Sequence, residues 1–167
     1  MTAPSRAYVA LGANLGDARA TLAAARDALA ALPGTTLAAV SSWWRTAPVD
    51  AVGPDFFNGV AALDTTLAPQ QLLEALQAIE LRHGRTRAHR NAPRTLDLDL
   101  LLYEDLVLDD DELTVPHPEL PKRSFVLVPL VELDPMLVHP GTGETMLALL
   151  QRLGARPLVK HGSRLWN

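Results

Sequence analysis

The sequence predicts an α+β fold: a mainly antiparallel sheet with helices packed on it, in the order β-α-β-β-α-β, and extra helices at the C-terminal end. Three observations carry that expectation. Strand-like apolar runs occur at 7–11, 36–46, 56–66 and 95–103. Leucines and alanines recur at helical spacing between the first and second of these runs, and again between the third and fourth. Pro33-Gly34, Pro48, Gly53-Pro54, Pro69 and Gly84 mark the boundaries.

The first run, AYVAL, leads into a turn at Gly12-Ala13-Asn14-Leu15-Gly16-Asp17. Leu22, Leu29 and Leu32, with Ala25 and Ala28 between them, define a helix that Pro33-Gly34 stops. Residues 36–46 read as one long strand, 47–55 as a loop and 56–66 as the next strand. Pro69 opens the second helix at a first-turn position. Leu72, Leu76, Ile79 and His83 share one of its faces, and Gly84 caps it. A basic loop, 85–94, precedes the strand TLDLDLLLY. Short helices follow near 124–133 and 144–153, and the tail after Gly154 is irregular, with room for a short strand. The order is the split βαβ, or ferredoxin-like, pattern.

The chain has 167 residues, which fits one domain spanning 1–167. At 48% hydrophobic and 20% charged it has ample material for a core. A net charge of −4 argues against a general nucleic-acid binder. The absence of cysteine excludes disulfides, thiolate zinc sites and cysteine nucleophiles. No run reaches the ~18 apolar residues of a membrane span, and Met-Thr-Ala-Pro-Ser-Arg is no signal-peptide core. The expectation is a cytoplasmic protein, monomeric, with no membrane or nucleic-acid partner.

Asp97 and Asp99 alternate with Leu96, Leu98 and Leu100. Strand periodicity puts the two carboxylates on one face, roughly 6–7 Å apart, and the leucines on the other, in the core. Two such carboxylates repel unless a cation or arginines accompany them. Magnesium takes one or two carboxylates together with water and substrate phosphates, and the spacing suits two ions. A bare Asp-x-Asp is more often a solvated sheet edge. Its neighbourhood changes that: Arg82, Arg85, Arg87, Arg90 and Arg94 fall within thirteen residues of an acidic protein, and arginine is the side chain for bidentate phosphate contacts. The pattern implies a polyphosphate–metal site. The Gly12–Gly16 segment is neither a Walker A loop nor a dinucleotide fingerprint, and reads as a strand–helix turn with Asp17 near the cap. His117 sits between Pro116 and Pro118 on a rigid loop, with Lys122 and Arg123 nearby. Phe56, Phe57 and Phe125 are core residues or an aromatic pair flanking a flat heterocycle.

Together, ALGANLGD (10–17), SSWWRTAPV (41–49), PDFFNGVAAL (54–63), AIELRHGRTR (78–87), APRTLDLDLLLY (92–103) and LTVPHPELPKRSFVLVPL (113–130) resemble the 6-hydroxymethyl-7,8-dihydropterin pyrophosphokinase family of folate biosynthesis. The resemblance covers roughly 7–153 and implies a ferredoxin-like fold. It implies transfer of the β,γ-diphosphate of ATP to the pterin hydroxymethyl oxygen, with release of AMP. By the match, Asp97 and Asp99 hold two magnesium ions, and Arg85 and Arg94 join them as catalytic residues. Gln77, Glu80, Arg87, Arg94, Leu100, Thr114, His117 and Arg123 contact ATP. Thr46, Pro48, Val49 and Asn58 bind the pterin edge, and Phe56 and Phe125 stack on its faces. Family members often carry a tryptophan in the arginine loop, where this chain has Asn91-Ala92.

Two other readings stand beside this one. An unrelated magnesium-dependent nucleotidyl or phosphoryl transferase would share the aspartates but not the pterin pocket. A non-catalytic binding module of the same fold would need no aspartates beside clustered arginines.

Overall fold

The computed structural model describes residues 3–14, 16–46, 54–83 and 96–154, and the backbone of 159–164. The strands are β1 (Ser5–Ala13), β2 (Thr35–Val40), β3 (Trp44–Thr46), β4 (Phe56–Thr65), β5 (Asp97–Tyr103), β6 (Leu108–Asp109), β7 (Thr114–Val115) and β8 (Val159–Arg164). The helices are α1 (Ala18–Ala30), α2 (Pro69–Arg82), α3 (Ser124–Leu133) and α4 (Met146–Leu153), with a short 3₁₀ turn at Leu120–Lys122.

The main sheet runs β5-β1-β4-β3-β8, with β2 pairing the other half of β4, and its pairings are antiparallel. This is the ferredoxin-like arrangement that the element order predicts. The tail supplies a strand, β8, on the outer edge of β3. β6 and β7 form a separate two-stranded ribbon.

Both faces of the sheet are covered. On one, Leu22, Ala25 and Leu29 of α1 and Leu72, Leu76 and Ile79 of α2 meet Val9, Leu11, Ala61, Leu63, Leu98 and Leu100. On the other, Val126, Leu127 and Leu130 of α3 and Met146 and Leu149 of α4 meet Tyr8, Val60, Ala62, Leu101 and Leu102. Each such leucine stabilises the fold by about 1.5–3 kcal/mol when fully buried. Asp17 caps α1 by accepting the Ala20 N–H at 3.1 Å, and Thr145 caps α4 through the Ala148 N–H at 3.1 Å.

Two boundaries differ from the sequence reading. Gly12 and Ala13 belong to β1 rather than to the following turn. The single strand expected at 36–46 is two, broken at 41–43. Val40 stands opposite Ala61 and Trp44 opposite Asn58, so four steps on one side match three on the other. That one-residue bulge changes which side chains face which layer. Further bulges lie in β2 against β4, between Leu37 and Ala39, and where β1 pairs with β5, between Tyr8 and Val9; the latter lets both Leu101 and Leu102 enter the core under α3. Among the described residues no helix is long and apolar enough to cross a membrane.

Candidate active site

The α3 face of the sheet is apolar at its centre and polar at one end. Gly12 lies on the middle strand of that end, opposite Asp97 on β5 and Asn58 on β4. A Cβ at Gly12 would stand 2.8 Å from Asn58 Oδ1. The missing side chain therefore keeps open the space between the two flanking residues. Asp97 and Asp99 are half-buried, alternating with buried Leu98 and Leu100. Asn58 is buried and donates from Nδ2 to Thr46 Oγ1 at 3.2 Å. Phe56, two residues earlier on the same strand, is half-buried.

The segment after β7 closes one flank. The Val115–Pro116 bond is cis. The His117 N–H donates to Leu101 O at 2.9 Å, and His117 Nδ1 accepts the Glu119 N–H at 3.1 Å. That bond leaves the proton of the neutral ring on Nε2, as a donor. Burial pushes the His117 pKa below the ordinary imidazole value; nearby Asp99 opposes this and Arg123 reinforces it. Arg123 occupies the N-cap of α3 with its guanidinium 5.7 Å from the Phe125 ring centre. A positive side chain and an aromatic face thus share the first turn of α3.

Beside the aspartates an open cleft is lined by Leu73, Leu98, Leu100, Leu113 and Thr114, with Asp99, Glu112, His117 and Pro118 also bordering it. Its walls suit a flat apolar ring, and its polar end is Asp99. Gln70 Nε2 donates to Glu112 Oε2 at 2.7 Å, tying the start of α2 to the cleft rim.

The described residues among those expected from the sequence divide into three groups. Leu100, Thr114, His117 and Asp99 line the cleft. Asp97 and Asn58 flank Gly12 from the two neighbouring strands, Thr46 stands opposite Phe56 and bonds Asn58, and Arg123 and Phe125 lie at the start of α3, which packs on the same face. Gln77 is half-buried on α2, and Glu80 is buried with Oε2 accepting the Leu98 N–H at 2.8 Å. This bond steadies β5 between the two aspartates. Pro48, Val49, Arg85, Arg87 and Arg94 lie outside the described residues, as does the Gly84 cap. Sequence reasoning missed Gly12, Leu73, Leu113 and Glu112. A glycine inside a strand run was the available signal for the first. Among the described residues no cluster of three or more acidic or histidine side chains could hold a metal alone.

A family model described as 7,8-dihydro-6-hydroxymethylpterin-pyrophosphokinase (HPPK) matches residues 8–135. A Pseudomonas aeruginosa 2-amino-4-hydroxy-6-hydroxymethyldihydropteridine pyrophosphokinase is 54% identical over 136 residues, covering 81% of this chain and 84% of the relative. The Synechocystis protein of the same name is 42% identical over 147 residues, covering 88% and 75%. The Schizosaccharomyces pombe folic acid synthesis protein fol1 is 37% identical over 158 residues, which cover 94% of this chain and 22% of that one. Among solved structures, a Plasmodium falciparum HPPK-DHPS crystallised with pteroate has the same fold, with a TM-score of 0.74 at 13% identity. The match covers 94% of this chain and 44% of that one. On the family match and these identities, the chain belongs to the 7,8-dihydro-6-hydroxymethylpterin-pyrophosphokinase family and is an enzyme of that class.

Proposed function

We propose that this chain transfers the β,γ-diphosphate of ATP to the hydroxymethyl oxygen of 6-hydroxymethyl-7,8-dihydropterin, releases AMP, and depends on magnesium. The observation that carries the reading is the placement of Asp97 and Asp99 between an apolar cleft and the Thr46–Asn58 pair. The adenine ring fits between Leu73, Leu100 and Leu113, so that the phosphates run toward Asp99. The pterin edge meets Thr46 and Asn58, with Phe125 and Phe56 against its faces.

The donor set fits magnesium. Two half-buried carboxylates on one face offer hard oxygen ligands and leave the remaining positions to water and phosphate. Magnesium held by Asp97 and Asp99 would supply charge neutralisation on the phosphates. The protein contributes position and electrostatics, as phosphoryl transfer requires. Arg123 and the His117 Nε2–H place positive charge and a donor beside the polyphosphate. Arg85, Arg87 and Arg94 would contact the phosphates and balance charge as the β-phosphorus is attacked. The hydroxymethyl oxygen forms a bond to the β-phosphorus, the bond from that phosphorus to the α,β-bridging oxygen breaks, and AMP leaves with that oxygen. The hydroxyl proton passes to solvent. Closure of the cleft against water matters because hydrolysis competes with transfer.

The test mixes ATP, the pterin and magnesium and follows AMP by chromatography. AMP should form only when all three are present. ADP formed without the pterin would instead favour an unrelated phosphoryl transferase. Asp97→Ala and Asp99→Ala should each lower turnover about a hundredfold or more, equivalent to about 2.7 kcal/mol of barrier. Wild-type rates in either folded variant would remove the metal assignment.

A further inference from the structure

Glu132 lies in the last turn of α3, two helical turns from Phe125 and on the same side of the helix. Among the described residues, its carboxylate accepts hydrogen bonds from Ser42 in the break between β2 and β3 and from Trp44 at the start of β3. Oε2 takes the Ser42 N–H at 3.0 Å and the Ser42 hydroxyl at 2.7 Å, and Oε1 takes the Trp44 Nε1–H at 3.0 Å. Ser42 lies in the bulged segment whose extra residue shifts β3 against β4, and Trp44 is the first paired residue after it. Thr46 follows Trp44 by two residues, so both share a face. Without the bulge Thr46 would turn to the other layer and could not meet Asn58.

We propose that Glu132 is a positioning residue for the pterin pocket, clamping α3 to the strand break and so setting the spacing between Phe125 and the Thr46–Asn58 pair. The proposal rests on the reading of those three residues as the pterin pocket. The chemistry is specific to a carboxylate. Both oxygens act as acceptors, whereas an amide presents one acceptor and one donor to the same three donors. Charge-assisted bonds of this kind are roughly twice as strong as neutral ones. Among the described residues, Glu132, Ser42 and Trp44 are not part of the lining of the cleft beside Asp99. Loss of the clamp should therefore act on one ligand and not the other.

The experiment compares Glu132→Ala, Glu132→Gln and Ser42→Ala with wild type. Affinities for 6-hydroxymethyl-7,8-dihydropterin and for a non-hydrolysable ATP analogue with magnesium are measured separately by calorimetry, with circular dichroism as the fold check. Glu132→Ala should weaken the pterin about tenfold and leave the nucleotide within about twofold. Glu132→Gln and Ser42→Ala should fall between, and they carry the test if Glu132→Ala does not fold. Equal weakening of both ligands would reduce Glu132 to general stability and overturn the proposal, as would unchanged pterin affinity in all three variants. Failure of wild type to bind the pterin even with the ATP analogue and magnesium saturating would overturn the pocket reading and the proposal with it.

Discussion

At Gly12 the absence of one methyl group leaves open the space beside Asn58, on the middle strand between Asn58 and Asp97. Gly12→Ala would push a Cβ against the Asn58 amide, which is buried and already committed to Thr46. Overpacking of this kind costs about 1–3 kcal/mol. Turnover should fall at least tenfold, with a modest drop in the urea midpoint, in assays of AMP release and denaturation. His139 makes a different kind of residue-scale prediction. Its ring is buried, and Nδ1 accepts the Gly141 and Thr142 N–H groups at 3.0 and 3.2 Å. Burial lowers its pKa below the ordinary value, so protonation favours the unfolded chain. Its contribution is therefore full above the unfolded value of about 6.5 and is lost as pH falls through the lower folded value. His139→Asn keeps an acceptor without a titrating ring. It should flatten part of the stability loss between about pH 7 and 5 in urea titrations, leaving the part due to His117, whose pKa is also lowered.

Existence and type of the elements were legible because Leu22, Leu29, Leu72, Leu76 and Ile79 repeat at helical spacing and bury where that spacing places them. The alternation of Asp97 and Asp99 with leucines likewise put the carboxylates on one face. The bulges were not legible. A one-residue slip leaves local propensity unchanged and is decided only by the partner strand. At the break Ser41 takes over a backbone role: its Oγ accepts the Val60 N–H at 2.9 Å, in a buried position. Ser41→Ala leaves that N–H without its partner, and thermal or chemical denaturation should register a loss of about 1–3 kcal/mol.

The described part of the molecule is a sheet covered on both faces, with the candidate site at one polar end of the α3 side and its cleft reaching past Leu98 and Leu100 to Leu73 of α2. Its core is complete without a metal, since Leu98, Leu100, Leu101 and Leu102 bury against helices on both sides. Chelation with EDTA should therefore abolish turnover while leaving the unfolding temperature of the ligand-free protein unchanged. Magnesium with an ATP analogue at about a hundred times its Kd should instead stabilise the fold by about 2.7 kcal/mol, read in a thermal-shift titration. By itself the sequence determined the order of strands and helices, the shared face of Asp97 and Asp99 and the family pattern, because periodicity and motif spacing are local properties of the chain. The tertiary structure alone decided that Gly12 stands open between Asn58 and Asp97, that Leu73 and Leu113 wall a cleft beside Asp99, and that Glu132 grips Ser42 and Trp44. Each of these joins residues far apart in the chain, and only strand register and helix packing bring them within reach.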